Sequence, residues 1–74
     1  MSDRALGGAL VANIEVNAAT VQRGDIIQLG GRAYRVSDLF QLAQGAKQLL
    51  FESGELLTIH TRTRLVAVRM LRGR

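Results

Sequence analysis

Five arginines lie between residue 56 and the end of the sequence, Arg62, Arg64, Arg69, Arg72 and Arg74, with no carboxylate among them. The planar guanidinium presents its N–H groups as a fork that meets two phosphate oxygens at once. Such a series is therefore chemistry for a polyanion. The chain holds ten Lys and Arg against six Asp and Glu, a formal net charge of +4. Five basic and six acidic groups precede residue 56, a net of −1, so the whole excess sits in the last quarter. Arg32 and Arg35 would join the group if their strand lies nearby. The candidate binding set is Arg62, Arg64, Arg69, Arg72, Arg35 and Arg32, and the expected partner is an RNA or DNA backbone. Counterion release would make that binding salt-dependent. The competing reading is a solvated basic end that serves solubility.

The other reactive residue types support less. Tyr34, Phe40 and Phe51 are the only aromatics. Single-strand readers stack bases on exposed rings, so backbone contact with little base reading is the expected mode. His60 is the single histidine, with Thr61 and Thr63 beside it. A catalytic base needs a nucleophile and an orienting partner within reach, and the expectation is a solvent-edge histidine. Asp25, Asp38, Glu52 and Glu55 fall at turns, where acids cap the backbone. Glu52 and Glu55 bring too few oxygens for a calcium cage. Gly7 and Gly8 lack the strand, lysine and helix of a phosphate-cradling loop. Arg23, Gly24 and Asp25 spell an adhesion tripeptide but read as a turn. No enzymatic activity, metal or cofactor is expected.

These residues must be held by strands. Two apolar runs, 26–29 and 32–37, flank Gly30 and Gly31, the strongest hairpin signal in the chain. Pairing across that turn sets Leu29 against Arg32, Gln28 against Ala33 and Ile27 against Tyr34. Ile27, Leu29, Tyr34 and Val36 then share the buried face, and a one-residue slip would turn them all to water. The parity breaks after Val36, which predicts a bulge near Ser37 and Asp38. Residues 43–46 form a loop tip. Strands follow at 47–51 and 55–60. A two-residue turn between them would oppose Glu52 and Glu55, whereas a three-residue loop with Gly54 left-handed pairs Leu49 with Leu57. The latter places Leu49, Phe51, Leu57 and Ile59 on one face. Residues 61–64 predict a single 3₁₀ turn, and 65–71 a strand with apolar groups on both faces, hence a central one.

The expected fold is therefore all-β, a small five-stranded barrel over residues 21–71. Residues 1–20 read as a flexible arm, with one possible edge strand at 13–16. Ser2 could cap a short helix over 3–11, but Gly7 and Gly8 disfavour it. Residues 72–74 are expected to fray. Seventy-four residues with 47% hydrophobic content make a single domain close to the lower limit for folding alone. A partner or second copy covering one face would help. No cysteine is present, which permits a reducing compartment, and a cytoplasmic location is the expectation. The apolar stretch 5–12 is diluted by two glycines and lacks a net positive lead, so it is not read as a signal peptide. No run reaches membrane-spanning length.

A resemblance rests on three clusters: Arg23, Gly24 and Asp25; Gly30, Gly31 and Arg32; Tyr34, Arg35 and Val36. Followed by a long second strand, a glycine tip, a hairpin and a last strand, they resemble the SH3-like barrels of translation proteins and KOW-type domains. The nearest pattern is the opening of the first domain of elongation factor P. The resemblance spans residues 21–71 and implies a five-stranded barrel and ribonucleoprotein association. The proline of that family's first turn is absent here, and its further domains are not expected. Lys47 is nearest to the family's modified lysine, and that role does not transfer. The preference for Arg over Lys also resembles short proteins of high-GC Gram-positive bacteria, which implies no function.

A rival class remains open. SH3-like barrels are common adaptors, and a fold does not set a function. Leu39, Phe40, Leu42, Leu50 and Leu56 fall outside the inward set. Clustered on the surface, they would mark a protein partner or a homodimer seam.

Overall fold

The computed structural model describes residues 9–72. They form one antiparallel sheet of six strands: β1 (Ala9–Val16), β2 (Ile26–Leu29), β3 (Arg32–Gln41), β4 (Lys47–Phe51), β5 (Leu56–Ile59) and β6 (Leu65–Arg72). The spatial order is β1-β6-β2-β3-β4-β5. The chain is all-β, as expected, but with six strands in place of five. No helix among the described residues is long and apolar enough to cross a membrane.

The hairpin of β2 and β3 has the anticipated register, with Ile27 opposite Tyr34 and Leu29 opposite Arg32. Gly30 and Gly31 take φ of 55° and 81°, the left-handed pair that a two-residue turn between twisted strands demands. The ladder steps between Val36, opposite Phe51, and Asp38, opposite Leu50. Ser37 is the extra residue of a bulge, and its hydroxyl donates to the Leu50 carbonyl at 3.1 Å. Beyond the bulge the inward parity switches from even to odd numbers. Leu39 consequently faces Leu49 and packs against the core, which corrects the expectation that it lies outside. Leu49 pairs with Leu57, and Gly54 has φ of 94°, so the three-residue loop is the one adopted.

The two remaining turns lie where the sequence places them. The loop tip carries a short 3₁₀ segment, Ala43–Gly45, whose Gln44 and Gly45 both have positive φ (60° and 79°). It acts as a tight hairpin turn, with the Ala46 amide on the Ala43 carbonyl at 3.2 Å. Residues 61–64 carry the single expected i→i+3 turn, from the Thr63 amide to the His60 carbonyl at 3.0 Å. The polar stretch is too short to extend it.

The principal correction is β1. Residues 13–16 were expected as an optional edge on a loose arm. Instead all of Ala9–Val16 pairs with β6, from Ala9 opposite Arg72 to Val16 opposite Leu65. Ile14 and Val16 pack into the core while Val11, Asn13 and Glu15 stay exposed. This alternation suits a strand buried on one side. The helix considered over 3–11 is excluded at residues 9–11, and the rest of that stretch lies outside the described residues. Arg72 continues β6 rather than fraying. Residues 73–74 lie outside.

The sheet curls around a single core of Val16, Val21, Ile27, Val36, Leu49, Phe51 and Ile59, closed beneath by Ala18 and Ala67. Tyr34 and Leu57 pack against it, and the Tyr34 and Phe51 rings lie 5.2 Å apart between centroids. The eight inward residues read from the two hairpins therefore share one interior. No ladder joins β5 to β1 among the described residues.

Candidate nucleic-acid interface

The arginines do not form one patch. Ile26 lies opposite Val68 and Ile27 opposite Ala67, so one further step along this register puts Asp25 beside Arg69, on the face that buries Ile27 and Ala67. The Arg69 guanidinium closes on the Asp25 carboxylate with two bonds, Nε to Oδ1 at 2.8 Å and Nη2 to Oδ2 at 2.8 Å. Nη2 also donates to the Thr20 carbonyl at 3.1 Å, and the Gln22 amide donates to Oδ2 at 2.9 Å. Asp25 is 1% exposed. Burial pushes its carboxyl pKa up, but the hydrogen bonds from Arg69 and from the Gln22 amide, with the arginine's charge, outweigh that and hold it below the ordinary carboxylate value. The Arg69 pKa is raised, chiefly by its hydrogen bond to Asp25. This corrects the reading of Arg69 as a ligand-facing residue. Its fork is already occupied by the buried acid.

Arg35 and Arg23 flank the same end of the sheet. With Gln22, Gly24, Asp25, Arg69 and Met70 they line an open cleft of about 240 Å³. Arg35 lies opposite Ile26, on the outer face, with Nε 3.5 Å from Glu52. Arg23 reaches Asp38 at 3.3 Å. Both pairs are solvent-exposed, and such pairs contribute little and yield to competing anions. From the sequence Arg23 reads as part of a turn and not as a contact residue. Its position two residues before the buried Asp25 was the available signal.

The second group lies at the opposite end of β6. Arg62 and Arg64 sit in the 61–64 turn, exposed to solvent. Arg64 approaches Glu15 at 4.0 Å, with both side chains largely exposed. Arg62 meets no carboxylate within ion-pair distance among the described residues. Continued by two residues, the register of β2 on β6 sets Leu29 beside Leu65. The tip that carries Arg32 therefore stands at the same end as this turn. Arg32 lies over the Tyr34 ring, 5.7 Å from its centroid, a contact that orients a guanidinium without neutralising it. Arg72 lies at the far end of β6, opposite Ala9.

His60 is exposed, and its amide donates to the Thr63 hydroxyl at 3.1 Å. Of the residues considered as a contact patch, Phe40, Leu42 and Leu56 are exposed and Leu50 is half-buried. Leu50 lies directly opposite Leu56. No family model, no curated protein and no solved structure matches the chain.

Proposed function

We propose that the chain is a small SH3-like domain of the translation-protein type, working in the bacterial cytoplasm, that docks on the phosphate backbone of RNA or DNA. The contact residues are Arg62, Arg64 and Arg32 at one end of the curled sheet. Arg35 and Arg23 provide a secondary track, Arg72 extends β6, and Arg69 serves the fold. The observation that carries this reading is the 61–64 turn. It exposes two arginines, one without a carboxylate partner among the described residues, in the part of the chain where the whole basic excess lies. Few exposed aromatics and forked cations favour phosphate contact over base reading.

Fluorescence anisotropy with labelled single-stranded RNA, single-stranded DNA and duplex tests the reading over a salt series. Three phosphate contacts predict a log–log slope of about −2.7 on duplex. Arg62→Glu with Arg64→Glu abolishes binding while the circular dichroism and melting temperature stay unchanged. Equal binding by that variant, or a flat salt response, removes the proposal.

A second reading, a protein-interaction surface, is favoured by one separate observation. Val11, Val66 and Met70 are 62%, 55% and 52% exposed on β1 and β6. That is unusual for large apolar side chains grouped on one face.

A further inference from the structure

We propose that β1 is a homodimer seam, its open edge pairing antiparallel with β1 of a second copy about a two-fold axis near Ala12. β1 ends the sheet, and no ladder covers its outer edge among the described residues. Natural edge strands are blunted by proline, lysine, bulges or inward charges. Ala9–Val16 has none of these, and its only charge, Glu15, is exposed at one end. An eight-residue edge of this kind is a template for another strand.

The shape of the molecule adds a second argument. β2 meets β6 only at Ala67 and Val68, so β6 beyond Arg69 is paired with β1 alone. Residues 9–11 and 70–72 thus form a two-stranded ribbon, the arrangement least able to persist alone in water. The molecule is correspondingly long, 44 × 22 × 22 Å. A second β1 would make this ribbon four strands wide.

The chemistry selects a second copy as the occupant. With the axis near Ala12, residues of equal parity meet across the seam, which keeps the two outer faces continuous. Val11 then lies opposite Asn13 of the other copy, and the exposed Val11 and Met70, themselves opposite one another, extend across the axis. The pairing also sets residues of opposite charge at the same end of the seam. Glu15 lies opposite Ala9 of the other copy, and Ala9 is the register partner of Arg72. Each strand end that carries Glu15 thus lies two strands from Arg72 of the other copy, with Ala9 between them. This inference rests on the β1 edge and not on the nucleic-acid reading, although Arg64 approaches the seam residue Glu15 at 4.0 Å.

Sedimentation equilibrium of the full chain tests it over roughly 1 to 100 µM, a range that covers the weaker affinities of standard-sized interfaces. The expected result is a monomer–dimer equilibrium that Val11→Lys weakens by about tenfold or more, with the melting transition retained. Should that variant fail to fold, Asn13→Lys, exposed on the same face, takes its place with the same expectation. A monomer throughout the range overturns the proposal. So does a dimer indifferent to both edge lysines, including one that Leu56→Lys dissolves, since that would place the seam on β5.

Discussion

Arg64 and Arg69 lie on the same chain segment five residues apart, yet the two ends of β6 use them in opposite ways. Arg69 faces the interior side, lies beside Asp25 in register and closes a two-pronged pair with a carboxylate that solvent barely touches. Arg64 stands in the preceding turn, 73% exposed, 4.0 Å from an equally wet Glu15. A buried pair that loses one member leaves an uncompensated charge, whereas an exposed pair loses almost nothing. The difference separates arginines that hold the fold from arginines free to hold a ligand.

The largest effect expected from breaking this contrast is at Arg69. Arg69→Ala strands Asp25 without its main partner and destabilises by about 3 kcal/mol, read from urea unfolding. A loss under about 1 kcal/mol would place Arg69 with the surface arginines. Acid acts on the same pair. Because the folded-state pKa of Asp25 is lowered, its contribution is complete above the unfolded value of about 3.9 and fades as pH falls through the lower folded value. Thermal melts between neutral pH and pH 2 should show that decline steeply in the parent and weakly in Asp25→Asn, whose melting temperature is lower at neutral pH and approaches the parent's in acid.

Smaller effects sharpen the contrast from the turns. A Cβ on Gly45 would stand 2.5 Å from the Thr61 methyl at a φ of +79°, so Gly45→Ala costs about 1 to 2 kcal/mol. That substitution also disturbs the 61–64 turn, and with it the proposed contact, while the pair at the other end stays intact. Gln44, the single non-glycine with positive φ among the described residues, gains about 0.5 kcal/mol on replacement by Gly or Asn. The smallest change belongs to Arg64→Ala, within about 0.5 kcal/mol of the parent.

The hairpins were legible because two independent signals agreed in each. At Gly30 and Gly31 the turn chemistry and the alternation of Ile27, Leu29, Tyr34 and Val36 specify one register. At Gly54 a like-charge clash between Glu52 and Glu55 excluded the shorter turn. β1 was obscured because Ala9, Ala12 and the neighbouring glycines carry little hydrophobic contrast. Its pairing with β6 is also a contact between the two ends of the sequence, which no local pattern reports. The separation of Arg69 from Arg64 was hidden for a related reason. Asp25 and Arg69 are 44 residues apart in the chain, and only the register of β2 on β6 brings them together. Leu39 reads as outward from the alternation that precedes Val36, and the Ser37 bulge turns it to the inner face.

One measurement addresses the division of labour along β6 most directly: a ¹H–¹⁵N correlation titration of the chain with a short RNA, following both backbone amides and arginine Nε–H groups. The account predicts shifts at residues 61–64 and 30–32, with the Arg69 Nε–H and the amides of residues 22–25 unmoved. Shifts centred on Arg69 and residues 22–25, with the 61–64 turn silent, would contradict it.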